Sequence, residues 1–563
     1  MALKCRSTPS TITSELLAAF PHAHDRPTRA QVADRRAYLT VVDSGKDKLE
    51  SVADLEEALF KLKMPETKAE CEAMPVDAMM LLPGGDYDNT QSWCFSSMAI
   101  LQNIEEARKA YGAGNMVGCI DGTYKLDYDG RVFIVFGTKT FTYDGSSVVH
   151  SFRPWAYSLA RTESKEALAK VMRCTKAVAK QLFDFDLDLA VGLSDQSEAM
   201  QPAFEDVFPA FTHINCYPHI IRKVCTSYRK SACACLSLLM NLQLLPSPAS
   251  QVSDYTWGMG KEGPAAVQEL VRILHLSRSD EEFGIVANLI CEDLRKMGAK
   301  EETISTFYNA NCVRPTWHIC ASGIPGITPD QNPQEAYNGA VKRRTKLLQP
   351  LAELVNNGLP KIVKYDSENL TGTMAFKPPA VPDSKLVHDG AAIWAAKGQL
   401  LKVNKPERGI RVGVYVNSTT HGTGAPVTKD RIRGLNAALA GKAPTEGMTT
   451  KDYAAAYMSL HLVDLVDGVV RCDCKAFWHS LVCKHSLAAE HALQMRDLLA
   501  KVKPLKGTKR GRGSKTPKAM PALVRQPRVD DSSDGDGAGG AEGSDGANQR
   551  QAQPKRCRPH KRA

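Results

Sequence analysis

Two hydrophobic rhythms alternate along the chain, and the points where one gives way to the other outline its elements. Up to about residue 110, apolar residues recur at helical spacing only in short pieces such as ESVADLEEALFKLKM, set in polar loop. From Met116 the rhythm becomes that of strands. MVGCIDGTYK, RVFIVFGTKTF and SFRPWAYSLART are rich in β-branched and aromatic residues, and the turn signal DYDG separates the first two. A helical run follows, SKEALAKVMRCTKAVAKQLF, then a strand in LDLAVGLSD, a helix in QSEAMQPAFEDVF and a strand in THINCY. The predicted order is three strands, helix, strand, helix, strand, an α/β arrangement with a mixed sheet flanked by helices.

Beyond Pro218 the helical period returns, as in GPAAVQELVRILHL and EEFGIVANLICEDLRKMGA, which predicts an all-helical insertion over about residues 220–320. A helix beginning near Pro333 resumes the core, so that residues 111–350 form one unit after an N-terminal region, 1–110, of helix and loop. Residues 351–405 read as linker and helix, with KPPAVPDSK as the breaker. Within 406–500, RVGVYVNST and SLHLVDLVDGVVRC read as strands, GTGAPVTKDRIRGLNAALAG as a loop or helical excursion, and HSLAAEHALQM as a helix. The last stretch, 501–563, has no apolar period and reads as a disordered basic and acidic tail.

With 563 residues there is material for about three or four folded units. A hydrophobic fraction of 43% and a charged fraction of 24% are those of ordinary soluble protein. No run of about 18 apolar residues is present, and the N-terminus lacks the unbroken apolar stretch of a signal peptide, so the chain is expected inside the cell and off the membrane. The sixteen cysteines are then reduced thiols or metal ligands. The net charge of +10 matters where it is concentrated, from Lys501 to Arg528 and again from Lys555 to Arg562. Such a tail suits polyanion binding or nuclear import, the alternative being a solvated tail with neither role.

Candidate chemistry lies first in three carboxylates. Asp121 ends the first strand in CIDGTYK, Asp195 ends the fourth in VGLSDQS, and Glu335 stands just after Pro333 at a helix start. If the two strands are neighbours, the aspartates meet at one sheet end, repel, and are best stabilised by a divalent cation. Oxygen ligation suits Mg²⁺ or Mn²⁺, which can activate a water or a 3′-hydroxyl and stabilise the leaving oxygen of a phosphodiester. Spacing alone does not distinguish this triad from turn or cap carboxylates among 62 acids. Asp127 and Asp129 are read in that second way, as acids of a strand-to-strand turn. Gly258, Gly260 and Gly263 match G-x-G-x-x-G, but no strand precedes them and Pro264 follows at once, so no dinucleotide site is expected.

The blocks GCIDGTYKLDYDGRVFIVFGTKT, LSDQSEAMQPAFEDVFP, INCYPHIIRKV and NPQEAYNGAVKRR resemble, in this order, those of the Mutator-like element transposases; LHLSRSDEEF and FYNANCVRPTWHIC resemble that family's helical insertion. The resemblance spans roughly Trp93 to Arg344. It implies a ribonuclease H-like fold, with Asp121, Asp195 and Glu335 as catalytic ligands of Mg or Mn. It also implies DNA as partner, both element terminal repeats and target DNA, with self-association a further option and the nucleus as the place of action. The family's Cys-x-x-His is matched by Cys216 and His219. That pair has ligand spacing but lacks the other two ligands zinc requires, and a buried Cys beside a helix-start His that packs or touches DNA is an equal reading. The pair is therefore associated with the site only.

A second cluster is more specific. RCDCKAFWHSLVCKHS places Cys472, Cys474, Cys483 and His485 as Cys-x-Cys-x8-Cys-x-His, enough for a closed tetrahedral zinc shell. It resembles the SWIM finger, which follows the nuclease core in many Mutator-like transposases and binds DNA or protein. A filled shell implies structural zinc, independent of the catalytic metals. His479, between the ligands, is read as a loop residue. In the tail, GTKRGRGSK resembles an AT-hook imperfectly, with Arg510, Arg512 and Lys515 as DNA-binding candidates. The expected function is a DNA transposase that cuts and transfers strands. Its alternative is a domesticated, non-catalytic DNA-binding regulator with the same fold.

Overall fold

A computed structural model of the chain describes residues 57, 59–144, 147–224, 257, 259, 263–374, 382–405, 410–418, 425–442, 447–466 and 468–497. The tail candidates Arg510, Arg512 and Lys515 lie outside these, as does most of the G-x-G-x-x-G stretch. No helix among the described residues is long and apolar enough to cross a membrane.

The first sheet has seven strands: β1 (Met80–Leu81), β2 (Ser92–Ser96), β3 (Val117–Thr123), β4 (Val132–Asp144), β5 (Ser147–Ala160), β6 (Val191–Ser194) and β7 (Thr212–Asn215), in the order β1-β2-β5-β4-β3-β6-β7. Pairing is antiparallel from β1 to β3 and parallel from β3 through β6 to β7. This mixed sheet with its helices is compatible with a ribonuclease H-like fold. Two of its strands come from the stretch expected to be helix and loop. All five residues of β2 are buried, Ser92 and Ser96 included, so the strand shows no alternation of apolar and polar positions to announce it.

Helix α1 (Met98–Tyr111) packs against β5, and α2 (Lys165–Phe183) covers β5, β2 and β4. Ser164 caps α2 by accepting from Ala167 N at 3.2 Å, and the left-handed Asp184 ends it. Between these ends Leu168, Val171, Met172, Thr175, Val178, Ala179 and Leu182 recur every three or four residues and are all buried. Each large apolar side chain so buried contributes roughly 1.5–3 kcal/mol. Helix α3 (Met200–Val207) lies beside α2, with Phe204 against Phe136 of β4. Phe136 pairs with Ile120. Because side chains alternate along a strand, Asp121 faces the other way, toward α7 (Asn332–Arg344).

The helical region contains α4 (Gly263–His275), α5 (Asp280–Lys296) and α6 (Glu301–Asn311), which share a core with Trp257, Trp317 and, from later in the chain, Tyr453 and Met458. After α7, helix α8 (Leu359–Asn369) joins the core of the first sheet through Leu359, Ile362 and Val363. The second sheet is antiparallel, in the order β11-β10-β9-β8, from β8 (Leu400–Lys405), β9 (Ile410–Asn417), β10 (Leu460–Val466) and β11 (Val469–Cys472). Its β8 belongs to the stretch read as linker. Helix α9 (Ser384–Ala395) packs on α12 (Lys484–Ala492), and α10 (Lys429–Leu439) forms the helical excursion.

Candidate functional site

The parallel pairing of β3 with β6 runs Val117↔Val191, Gly118↔Gly192, Cys119↔Leu193. Carried two residues further, that register sets Asp121 level with Asp195, the residue that follows β6. Asp121 accepts from Gly122 N at 3.0 Å and from Asn338 Nδ2, on α7, at 2.8 Å. Burial first, then the charges of Asp195 and Glu163 and the more distant Glu335, push its ionisation up to about 7. Asp195 accepts from Ser197 N at 2.8 Å, which turns the chain into α3.

Glu163 was not singled out in the sequence. Its carboxylate accepts from Tyr124 Oη at 2.7 Å and reaches the site because residue 122 is glycine: a Cβ there would stand 3.0 Å from Glu163 Oε1. Burial raises its ionisation, and Asp195 adds to the effect. Asp127 and Asp129 both hold Arg131, at 3.0 and 2.9 Å, and Asp127 also accepts from Arg131 N at 2.7 Å. These are turn acids.

Helix α7 is locked across the sheet end by residues just before and within its first turn. Gln331 Nε2 donates to Ile120 O at 3.0 Å and Leu193 O at 3.2 Å, one on each aspartate strand, and Gln334 Nε2 donates to Val135 O at 2.9 Å. Below it the buried Lys139 pairs with Asp330 at 2.9 Å. Burial pushes the Asp330 carboxyl up, but the Lys139 ammonium and the Thr328 hydroxyl together hold the group below its usual range. Glu335, in the first turn of α7, receives Arg222 Nη2 on both oxygens, at 2.5 and 2.6 Å, and lies 3.4 Å from His219 Nε2. Among the described residues, two sets of potential metal ligands have all their ligand atoms within 4.8 Å of one another, and the Asp121, Asp195, Glu335 triad is not one of them. One is Cys216, His219 and Glu335; the other is Cys472, Cys474, Cys483 and His485.

In the second set the ligands are presented by three elements. Cys472 ends β11; Cys474 caps α11 (Lys475–Ser480), its sulfur accepting from Phe477 N at 3.4 Å; Cys483 caps α12, its sulfur accepting from Ser486 N at 3.2 Å. His485, in the first turn of α12, brings Nδ1 to 3.9 Å from Cys472 Sγ. All four are buried, and the group could hold a metal such as zinc. Burial and the neighbouring sulfurs hold Cys472 and Cys474 as thiols, whereas Cys483, which accepts bonds from them, is lowered.

The cluster is docked rather than free-standing. Asp473, between two ligands, accepts from His461 Nδ1 at 2.9 Å and Leu462 N at 3.0 Å, and stands 3.7 Å from Arg278, at the start of α5. Gly326 N donates to Trp478 O at 2.9 Å. His479, expected in a loop, lies in α11 instead; its carbonyl is 3.1 Å from His150 Nε2 on β5, and the two rings are 4.2 Å apart. The long β4–β5 hairpin therefore reaches the cluster, a contact that no local pattern announces.

A cavity of about 660 Å³ opens beside Asp195, lined by Gln196, Asn215, Lys223, Asn311, Arg314 and Trp317 among others. No family model matches the chain, and no curated protein matches it in sequence. The resemblance to Mutator-like transposases therefore stands on the quoted blocks.

Proposed function

We propose that the end of β3 and β6 is a divalent-metal phosphodiester site and that the chain is a DNA transposase of the Mutator-like class, with a SWIM-type zinc module behind its nuclease core. The observation that carries this reading is the register that sets Asp121 level with Asp195, where burial and like charge leave Asp121 ionising near 7. Two carboxylates in such surroundings are stabilised by a cation far more than by each other. Their donor set is oxygen only, which fits Mg²⁺ or Mn²⁺.

When bound, the metal supplies Lewis-acid polarisation of the phosphate and activation of the attacking oxygen. The chain's own residues do the rest. Asp121 and Asp195 would hold the cation at the sheet end, and Glu335, paired here with Arg222, would be the third ligand. Asn338 fixes the orientation of Asp121, and Gln331 keeps α7 in register with both strands. Lys223 and Arg314, at the cavity beside Asp195, offer positive charge to a phosphate backbone. In the zinc module, Cys472, Cys474, Cys483 and His485 fill all four positions, so the ion there holds structure.

A second reading, a DNA-binding regulator descended from such an enzyme, is favoured by one observation: Glu335 is engaged by Arg222 and His219. The test is cleavage of a labelled duplex carrying the inverted repeats that flank the coding sequence, with Mg²⁺ or Mn²⁺. Cleavage that Asp195→Asn abolishes supports the transposase. Tight binding without cleavage supports the regulator.

A further inference from the structure

Cys216 stands immediately before a helix at 217–224 and caps it, its carbonyl accepting from His219 N and Ile220 N. It is fully buried. Two backbone N–H groups are directed at its sulfur, that of Gln331 at 3.3 Å and that of His219 three residues on. The same device recurs in the Cys472/Cys474/Cys483/His485 cluster, where Cys474 and Cys483 each cap a helix and each sulfur accepts the N–H of the residue three further on. The N–H groups are placed to donate hydrogen bonds to a metal-bound sulfur, although burial outweighs them and pushes the Cys216 thiol up to about 12.

Around Cys216 the remaining groups complete a ligand set that the sequence does not bring together. His219 follows at the x-x spacing, and α7, whose preceding residue Gln331 donates its N–H to the sulfur, delivers Glu335 from its first turn. One sulfur, one imidazole nitrogen and one carboxylate oxygen lie within 4.8 Å of each other. His219 Nδ1 is buried with no hydrogen-bond partner, and its Nε2 is 3.4 Å from Glu335. Arg222 is the cation that balances Glu335 in the absence of metal. Its side chain is 52% exposed, so it can swing into solvent at little cost.

We propose that Cys216, His219 and Glu335 form a second transition-metal site, taking Zn²⁺ or a similar borderline divalent ion, with one coordination position open to water. Mixed sulfur, nitrogen and oxygen ligation selects such an ion over Mg²⁺, which takes oxygen alone. Three protein ligands are the number found where a zinc ion retains a water or substrate position. The site shares Glu335 with the carboxylate triad, and its ion can therefore orient that residue. Metal binding at Cys216 does not depend on the strand-transfer reading and is measurable without any cleavage.

The experiment counts zinc on the full-length chain after loading and removal of loosely bound ion by a weak chelator. The expected result is two ions per chain in the wild type, with one retained by His219→Ala and one by Cys483→Ser. Cys216 is deep in the fold, so Cys216→Ala serves only as a companion. His219 is partly exposed, and retention of the other ion reports that its variant is folded. Co²⁺ in place of zinc supplies a second readout, since the Cys483→Ser chain should still show sulfur-to-cobalt absorption, which His219→Ala in that background removes. A single ion in the wild type, or two in His219→Ala, overturns the proposal.

Discussion

On the reading proposed above, the cysteine cluster and the sheet end would each hold a cation, and they are built for it in opposite ways. In the cysteine cluster four ligand atoms lie together, buried, with N–H groups aimed at two of the sulfurs. Two of its four ligands, Cys472 and Cys474, are held as neutral thiols, which limits the electrostatic cost of bringing the four together. The sheet end has carboxylates, which cannot be gathered ionised without a counter-charge. Asp121 responds by holding its proton to about 7, and Glu335 by pairing with Arg222. A filled shell suits permanent structure; a site that stays open and charge-frustrated suits a metal that enters with substrate.

The largest expected effect falls on the first end. Cys483→Ser should release the ion and melt the second sheet's module, since metal-ligand energy of this kind is on the order of 10 kcal/mol. Metal counting and thermal unfolding check it, and a variant that keeps its ion would erase the contrast. Because α11 rests on His150 and on the loop at Gly326, partial loss of order is also expected at the β4–β5 hairpin, read by hydrogen exchange. Protection there unchanged would show that order in the cluster does not extend to the hairpin.

Next comes catalysis. Asp121→Asn and Asp195→Asn should each cut metal-dependent cleavage about 1000-fold, roughly 4 kcal/mol of barrier. Comparable cleavage by either variant would remove that residue from the metal site.

A smaller effect has the opposite sign. For Asp121 the folded ionisation point lies above the unfolded one near 3.8, so the folded state binds the proton more tightly, and stability from this group is lost as pH rises from about 4 to about 7. In metal-free protein Asp121→Asn should therefore raise stability at pH 8 by at most about 4 kcal/mol, at about 1.4 kcal/mol per pH unit across that window, and leave it unchanged at pH 4. Denaturant titration at the two pH values decides; equal effects at both would show the strain to be steric. Smallest is Arg222→Ala, which frees Glu335 and should tighten Mn²⁺ binding a few-fold, consistent with a half-exposed ion pair. Weaker binding would mean that Arg222 organises the site.

Legibility in the sequence followed the same division. Helices α2 and α3 were readable because each buries one stripe, so period and burial coincide, and strands β3 to β6 because their buried runs are β-branched, aromatic or otherwise apolar. Strand β2 was not, because its five buried residues begin and end with serine and form no apolar run. Asp195 was readable as a strand end and the cysteine ligands as a spacing; Asp121, expected to end its strand, lies inside β3, which runs on to Thr123 along β4. Glu163 carried no local signal; its place depends on Gly122 having no side chain and on the chain's path after β5. The union of Cys216 and His219 with Glu335 depends on α7 crossing the sheet end, which Gln331 secures through carbonyls of two strands distant in sequence.

The central claim, that Asp121 and Asp195 together bind a divalent cation, is tested most directly by Mn²⁺ titration of the full-length chain at pH 6 and pH 8, following the free ion by electron paramagnetic resonance. The account predicts binding that tightens toward pH 8, as Asp121 loses its proton, and that disappears in both Asp121→Asn and Asp195→Asn. Mn²⁺ binding that is independent of pH and unchanged in the two variants would contradict it.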